Sequence, residues 1–192
     1  MSAGRPAVVL DRDGTINREV NYLADPADFE LIPGSGEAIA ELNTAGFAVA
    51  VATNQSGIAR GILDEERLAR IHDRMSEALA THGAHVDALA YCPHHPTEGE
   101  APYRKDCDCR KPRPGLVERT LTELGADPAK SWVIGDSARD LAAGAAVGLR
   151  GILVATGKGA EEHARLTREG NTPDHFAADL AAAVTWLLAQ GK

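Results

Sequence analysis

The sequence predicts an α/β protein built on one parallel sheet with helices on both faces. Short apolar runs ending in polar residues alternate with Ala/Leu/Glu/Arg-rich stretches of helical period, the pattern of repeated βα units. A length of 192 residues suits one well-buried domain, and residues 1–192 are read as such. Apolar residues make up 44% and charged residues 25%, the balance of an ordinary globular chain rather than a disordered or fibrous one.

The elements follow in chain order. Strands are expected at 7–11, 47–53, 88–92, 132–135 and 151–155, with a short sixth near 175–176, giving a Rossmann-like sheet. Residues 35–45 and 64–82 read as helices, the second with Asp64 as its cap and Glu65 and Glu66 in its first turn. The helix over 114–124 starts with a proline at a tolerated position and stops at Gly125. Helices over 138–146 and 177–189 complete the set. Residues 12–34 and 93–113 do not fit a minimal βα repeat. Both leave the C-terminal end of a strand, where open parallel sheets place their ligands.

Charge narrows the function. A net charge of −8 argues against nucleic-acid binding, which relies on an excess of Lys and Arg. Residues 104–113 reverse that balance locally, with five cationic side chains against two carboxylates, so a phosphorylated metabolite remains a suitable partner. The N-terminus lacks the apolar core of a secretory signal, and no apolar run is long enough to span a bilayer, so no membrane partner and a cytoplasmic location are expected. Three cysteines fit a reducing compartment and point to metal binding or free thiols. A monomer is the default expectation.

Asp11-Arg12-Asp13-Gly14-Thr15 follows the strand AVVL, so two carboxylates emerge where it ends. A polar turn explains the pair equally well in isolation. Val133-Ile134-Gly135-Asp136 is a second apolar strand ending in a carboxylate, with Asp140 four residues later in the first turn of a helix. Asp140 alone is a helix N-terminal charge partner. Together, three or four carboxylates at one sheet edge call for a cation.

With Asp-Arg-Asp-Gly-Thr after strand one, Thr53-Asn54-Gln55-Ser56 after strand two, Lys111-Pro112 before a helix and Gly135-Asp136 with Asp140 after a later strand, the chain resembles the haloacid-dehalogenase superfamily. The four motifs span residues 8–140. The resemblance implies a phosphatase with Asp11 as nucleophile and Asp13 as the acid and base. A carboxylate can form an acyl-phosphate, and Asp13 would then need to hold a proton near neutral pH. It implies magnesium bound by Asp11, Asp136 and the backbone carbonyl of Asp13, with Asp140 behind them. Thr53 and the backbone after it would cradle phosphate, with Asn54, Gln55 and Ser56 on the substrate, and Lys111 would offset phosphoryl charge. Residues 12–34 are too few for a separate cap, so a capless haloacid-dehalogenase fold is implied.

Cys92-Pro93-His94-His95 and Cys107-Asp108-Cys109 set four soft or borderline ligands in two pairs, matching a closed tetrahedral structural zinc site in a loop over residues 92–109. His95 is an alternative to His94, which the family pattern favours. Such a site would pin a polar loop and, through Cys109, position Arg110 and Lys111. The combination resembles the small zinc-containing branch of the superfamily, whose members act on heptose bisphosphates or histidinol phosphate. The wording Tyr91-Cys92-Pro93-His94-His95-Pro96 and Thr156-Gly157-Lys158-Gly159 is nearer the heptose group. That implies a phosphorylated sugar as substrate, on a route to lipopolysaccharide core heptose or to GDP-activated heptose. Substrate contacts are expected from Arg12, from Glu19, Asn21 and Tyr22 in the first loop, and from Arg110 as a bidentate partner for a second phosphate. A solvated loop explains Glu19, Asn21 and Tyr22 as well. Heptose phosphatases of this type often carry Lys directly after the fourth-motif Asp, where this chain has Ser137.

Overall fold

A computed structural model describes residues 4–190. Its strands are β1 (Ala7–Leu10), β2 (Ala48–Asn54), β3 (Ala88–Cys92), β4 (Trp132–Gly135), β5 (Arg150–Val154) and β6 (His175–Ala177). They form one sheet in the order β3-β2-β1-β4-β5-β6, every pairing parallel. The helices are α1 (Ser35–Thr44), α2 (Glu65–Ala80), α3 (Gly115–Leu124), α4 (Ala138–Ala145), α5 (Gly159–Arg168) and α6 (Leu180–Ala189).

Side chains alternate across the central strands, and the two faces differ in size. Val8, Leu10, Val49, Val51 and Ile134 face α1, α2 and α6, which contribute Ile39, Leu42, Ile71, Met75 and Val184. Fully burying each such side chain stabilises the fold by roughly 1.5–3 kcal/mol. Ala7, Ala48, Ala50, Ala88 and Ala90 pave the other face, and these small residues let Leu116, Val117 and Leu121 of α3 pack close to the sheet.

Local chemistry fixes the ends. Asp64 caps α2 by accepting from the Arg67 N–H at 2.7 Å, and Gly125 ends α3 at φ 58° in the left-handed region glycine tolerates. The last helix begins at Leu180 rather than at 177, because His175–Ala177 pair with β5 and Asp179 supplies the cap. Helix α5 was not expected from the pattern. Among the described residues, no helix is long and apolar enough to cross a membrane.

The strand order reverses between β1 and β4, the position where open α/β sheets form a ligand crevice. Asp11 leaves β1 there with its N–H still bonded to Ile134 O at 3.0 Å, and Asp136 leaves β4 beside it. The cleft above this edge has a volume of about 370 Å³.

Candidate active site

Three carboxylates and one ammonium meet at the cleft floor. Asp11, Asp136 and Asp140 each offer an oxygen within 4.8 Å of the others. Lys111 Nζ lies 2.9 Å from Asp11 Oδ1 and 2.6 Å from Asp140 Oδ1, and donates to Ala52 O at 2.7 Å, which uses all three of its protons. Asp140 Oδ2 accepts from the Ser137 N–H at 3.0 Å and closes a capping box at the start of α4. Asp140 therefore works as both helix cap and lysine partner.

One ammonium does not balance three buried carboxylates. Burial pushes Asp11 up to about 6; Lys111 opposes the rise, and Asp140 and Asp13 add to it. Burial also pushes Asp136 up to about 6, against the Lys158 N–H that donates to its Oδ2 at 2.9 Å. Hard oxygen donors carrying excess negative charge fit a magnesium ion. Gly14 (φ 80°) and Gly157 (φ 58°) stand against the Asp136 carboxylate, and a Cβ at either would occupy its space. Thr156 Oγ1 donates to Gly14 O at 2.6 Å and holds those two loops together.

Asp13 departs from the sequence expectation. Burial would raise its pKa, but the Arg12 guanidinium and the amides of Asn17 and Gln55 outweigh it and hold the carboxyl below its ordinary value. The free site thus keeps Asp13 ionised, because its donors come from three places along the chain. Arg12 is corrected too. Its side chain is fully buried, pairs with Asp13 at 2.8 Å and meets His72 Nε2 at 3.2 Å, and it is not among the residues that line the cleft. Burial and the neighbouring Arg12 charge push His72 down to about 3, leaving it neutral as the guanidinium's acceptor.

The second motif is committed mainly to the protein. Asn54 clasps the Lys111 backbone, Nδ2 to O and Oδ1 from N, each at 3.1 Å. Gln55 Nε2 donates to Asp13 Oδ2 and Thr53 Oγ1, each at 2.9 Å. Thr53, though buried, lines the cleft together with Ser56.

Glu19, Asn21, Tyr22 and Arg110 line the cleft, joined by Arg60, His95, Arg139 and Lys158. Lys158 Nζ lies 3.7 Å from Glu19. Arg60 ties three loops together: it pairs with Glu98, lies 3.3 Å from His95 Nε2 and sits 5.5 Å from the Tyr22 ring centroid. Tyr22 holds φ 61°, a strained value for a non-glycine residue at the cleft mouth. Lys158 falls within the Thr156-Gly157-Lys158-Gly159 wording, and Arg60 lies four residues beyond Ser56, but their partners lie on other loops.

Beside the cleft, Cys92, His94, Cys107 and Cys109 converge. Sulfur separations are 3.6 Å for Cys92 to Cys107 and 3.2 Å for Cys109 to each of the others, and His94 Nδ1 is 3.3 Å from Cys109 Sγ. These separations are too long for a disulfide, and they approach the roughly 3.8 Å edge of a tetrahedron built on metal–sulfur bonds of about 2.3 Å. His95 turns away and accepts from the Thr97 and Glu98 N–H groups, so His94 is the histidine that stands with the three cysteines. Arg110 donates to His94 O at 3.2 Å, tying the loop to the cleft.

The chain is 47% identical over 160 residues to D-glycero-beta-D-manno-heptose-1,7-bisphosphate 7-phosphatase of Photorhabdus laumondii, covering 82% of this chain and 85% of that one. It belongs to that phosphatase family. The relative from Pseudomonas aeruginosa is 43% identical over 185 residues, covering 96% of this chain and 98% of its own. The HAD-hydrolase-like family model matches residues 108–183. Among solved structures, D,D-heptose 1,7-bisphosphate phosphatase from B. bronchiseptica, complexed with magnesium and phosphate, aligns at TM-score 0.84 and 39% identity over 96% of this chain and 99% of that one. Family membership makes the chain a phosphomonoester hydrolase.

Proposed function

We propose that the chain removes the C7 phosphate of D-glycero-D-manno-heptose 1,7-bisphosphate through an aspartyl-phosphate on Asp11. The observation that carries the reading is the nucleophile's setting. Asp11 Oδ1 is occupied by Lys111 and by the Arg12 N–H at 2.8 Å, leaving its other oxygen to attack. As that oxygen bonds to phosphorus, the P–O bond to C7 breaks, and the leaving oxygen takes its electrons and a proton from Asp13. The approaching phosphoryl charge favours the protonated form of Asp13, reversing the low value it has in the free site. Asp13 then accepts a proton from water, whose oxygen displaces Asp11 from phosphorus.

Asp11, Asp136 and the Asp13 carbonyl would hold magnesium, which when bound neutralises phosphoryl charge and keeps Asp11 ionised. The magnesium and phosphate in the B. bronchiseptica structure support this assignment. Cys92, His94, Cys107 and Cys109 would hold zinc as a closed structural site. Arg110 lines the cleft and, half-buried, suits the second phosphate. The Photorhabdus and Pseudomonas relatives are both named for the beta anomer, which makes it the first substrate to test.

The test is kcat/KM for the beta and alpha bisphosphates and for histidinol phosphate, with magnesium present. The beta bisphosphate is expected to be preferred, and Asp11→Asn to abolish turnover on all three. A higher kcat/KM for histidinol phosphate would overturn the substrate, and an active Asp11→Asn would overturn the mechanism.

A further inference from the structure

The Asp13 carboxylate accepts five hydrogen bonds, and they divide unequally. Oδ1 receives Arg12 Nε at 3.2 Å, Arg12 Nη2 at 3.0 Å and Asn17 Nδ2 at 3.0 Å. Oδ2 receives Arg12 Nη2 at 2.8 Å and Gln55 Nε2 at 2.9 Å. A carboxylate offers about two lone-pair directions per oxygen, so Oδ1 is filled. The Nη2 contact to Oδ2 is shared with Oδ1 and can be given up without orphaning a buried donor. Oδ2 is therefore the oxygen that can take up a proton.

Gln55 is the donor left to orient it. Its side chain lines the cleft yet is only 7% exposed. The ionised Asp13 can only accept, so the amide nitrogen must face it, and the second amide proton is engaged by Thr53 Oγ1 at 2.9 Å. That arrangement also leaves the Thr53 O–H free to donate to a phosphoryl oxygen. We propose that Gln55 is a positioning residue that fixes Asp13 Oδ2 for proton transfer to the leaving oxygen, rather than a substrate contact. The proposal rests on the aspartyl-phosphate reading above. In the step it serves, the proton on Oδ2 passes to the ester oxygen as the P–O bond breaks and its electron pair moves onto that oxygen, while Asp11 completes its bond to phosphorus.

The test uses two sugar-free esters on the full chain with both metals present. For a two-step covalent mechanism, kcat/KM covers events only through departure of the leaving group. p-Nitrophenolate departs without a proton, whereas phenol, which titrates near ~10, gains from one. Gln55→Met is expected to lower kcat/KM for phenyl phosphate by about 10-fold or more, but for p-nitrophenyl phosphate by less than about 3-fold. Gln55→Glu keeps the shape but sets an acceptor against Asp13, and is expected to show the same split. Asp13→Asn is expected to show it more strongly, with Gln55→Met adding nothing further in the double variant. Equal losses on both esters in the two Gln55 variants, a rise in KM alone, or additive losses in the double variant would overturn the proposal. Asp11→Asn in the same assay separates the two readings: activity there refutes the covalent mechanism, whereas inactivity there with equal ester losses refutes only the role of Gln55.

Discussion

Replacing Asp136 with asparagine is expected to stabilise the magnesium-free protein while removing its response to magnesium. Asp136 is 3% exposed, and its carboxyl is pushed up to about 6 by burial, with the Asp11 and Glu19 charges adding and the Lys158 N–H opposing. The unfolded chain releases this proton at a lower pH than the folded one does. The folded state therefore binds the proton more tightly, and stability falls as pH rises from the unfolded value of 3.8 through about 6. Above that window the full cost is present, roughly 3 kcal/mol at pH 7.5 and about half of that at pH 5. Asparagine carries no charge and keeps an oxygen for the Lys158 N–H, so it should recover most of that difference. The assay is urea unfolding at both pH values in magnesium-free buffer without chelator, since a chelator would also strip a thiolate site. Added magnesium should then stabilise the parent by mass action but not the variant. A variant less stable than its parent at pH 7.5, or a gain equally large at both pH values, would refute the reasoning.

Lys111→Met leaves Asp11 and Asp140 facing each other without their shared cation. The expected cost is about 3–5 kcal/mol in urea unfolding, with a loss of order 10²-fold in kcat; retention of kcat within about threefold would argue against it. Cys109→Ser removes one corner of the thiolate site and the support for Arg110 and Lys111 that follows it. Elemental analysis should show the loop metal lost, with KM raised; full metal content with an unchanged KM would count against a structural metal.

The centre of the sheet was legible because β1 to β4 are apolar runs that end at a polar residue of the cleft or the thiolate cluster: Asp11, Thr53, Cys92 and Asp136. Helix α5 was not, because among its residues only Gly159 and Leu166 are buried, and so it carries no apolar stripe to read. The convergence of Asp11, Lys111 and Asp136 on one edge was legible for the same reason as the strands, since order and spacing deliver all three there. What spacing cannot supply is the direction of a loop side chain. Arg12 was expected to face the substrate and instead is buried away from the cleft lining, and Asn54 and Gln55 turn their amides to Lys111, Thr53 and Asp13. The ionisation of Asp13 was missed for a related cause: Arg12, Asn17 and Gln55 meet only after folding.

The N–H of Asp11 still belongs to the β-ladder, and its carboxylate is held by Lys111 and the next backbone amide, so the proposed nucleophile is part of the wall rather than an arm that swings. Phosphorus must do the travelling, first onto that wall and then off it along the same line. The departing alcohol and the incoming water consequently use one position in turn, and one doorway. With loops around that doorway, a small alcohol at high concentration competes with water for the bound phosphoryl group, so transfer to glycerol measured against release of inorganic phosphate reports directly on how well the doorway is guarded.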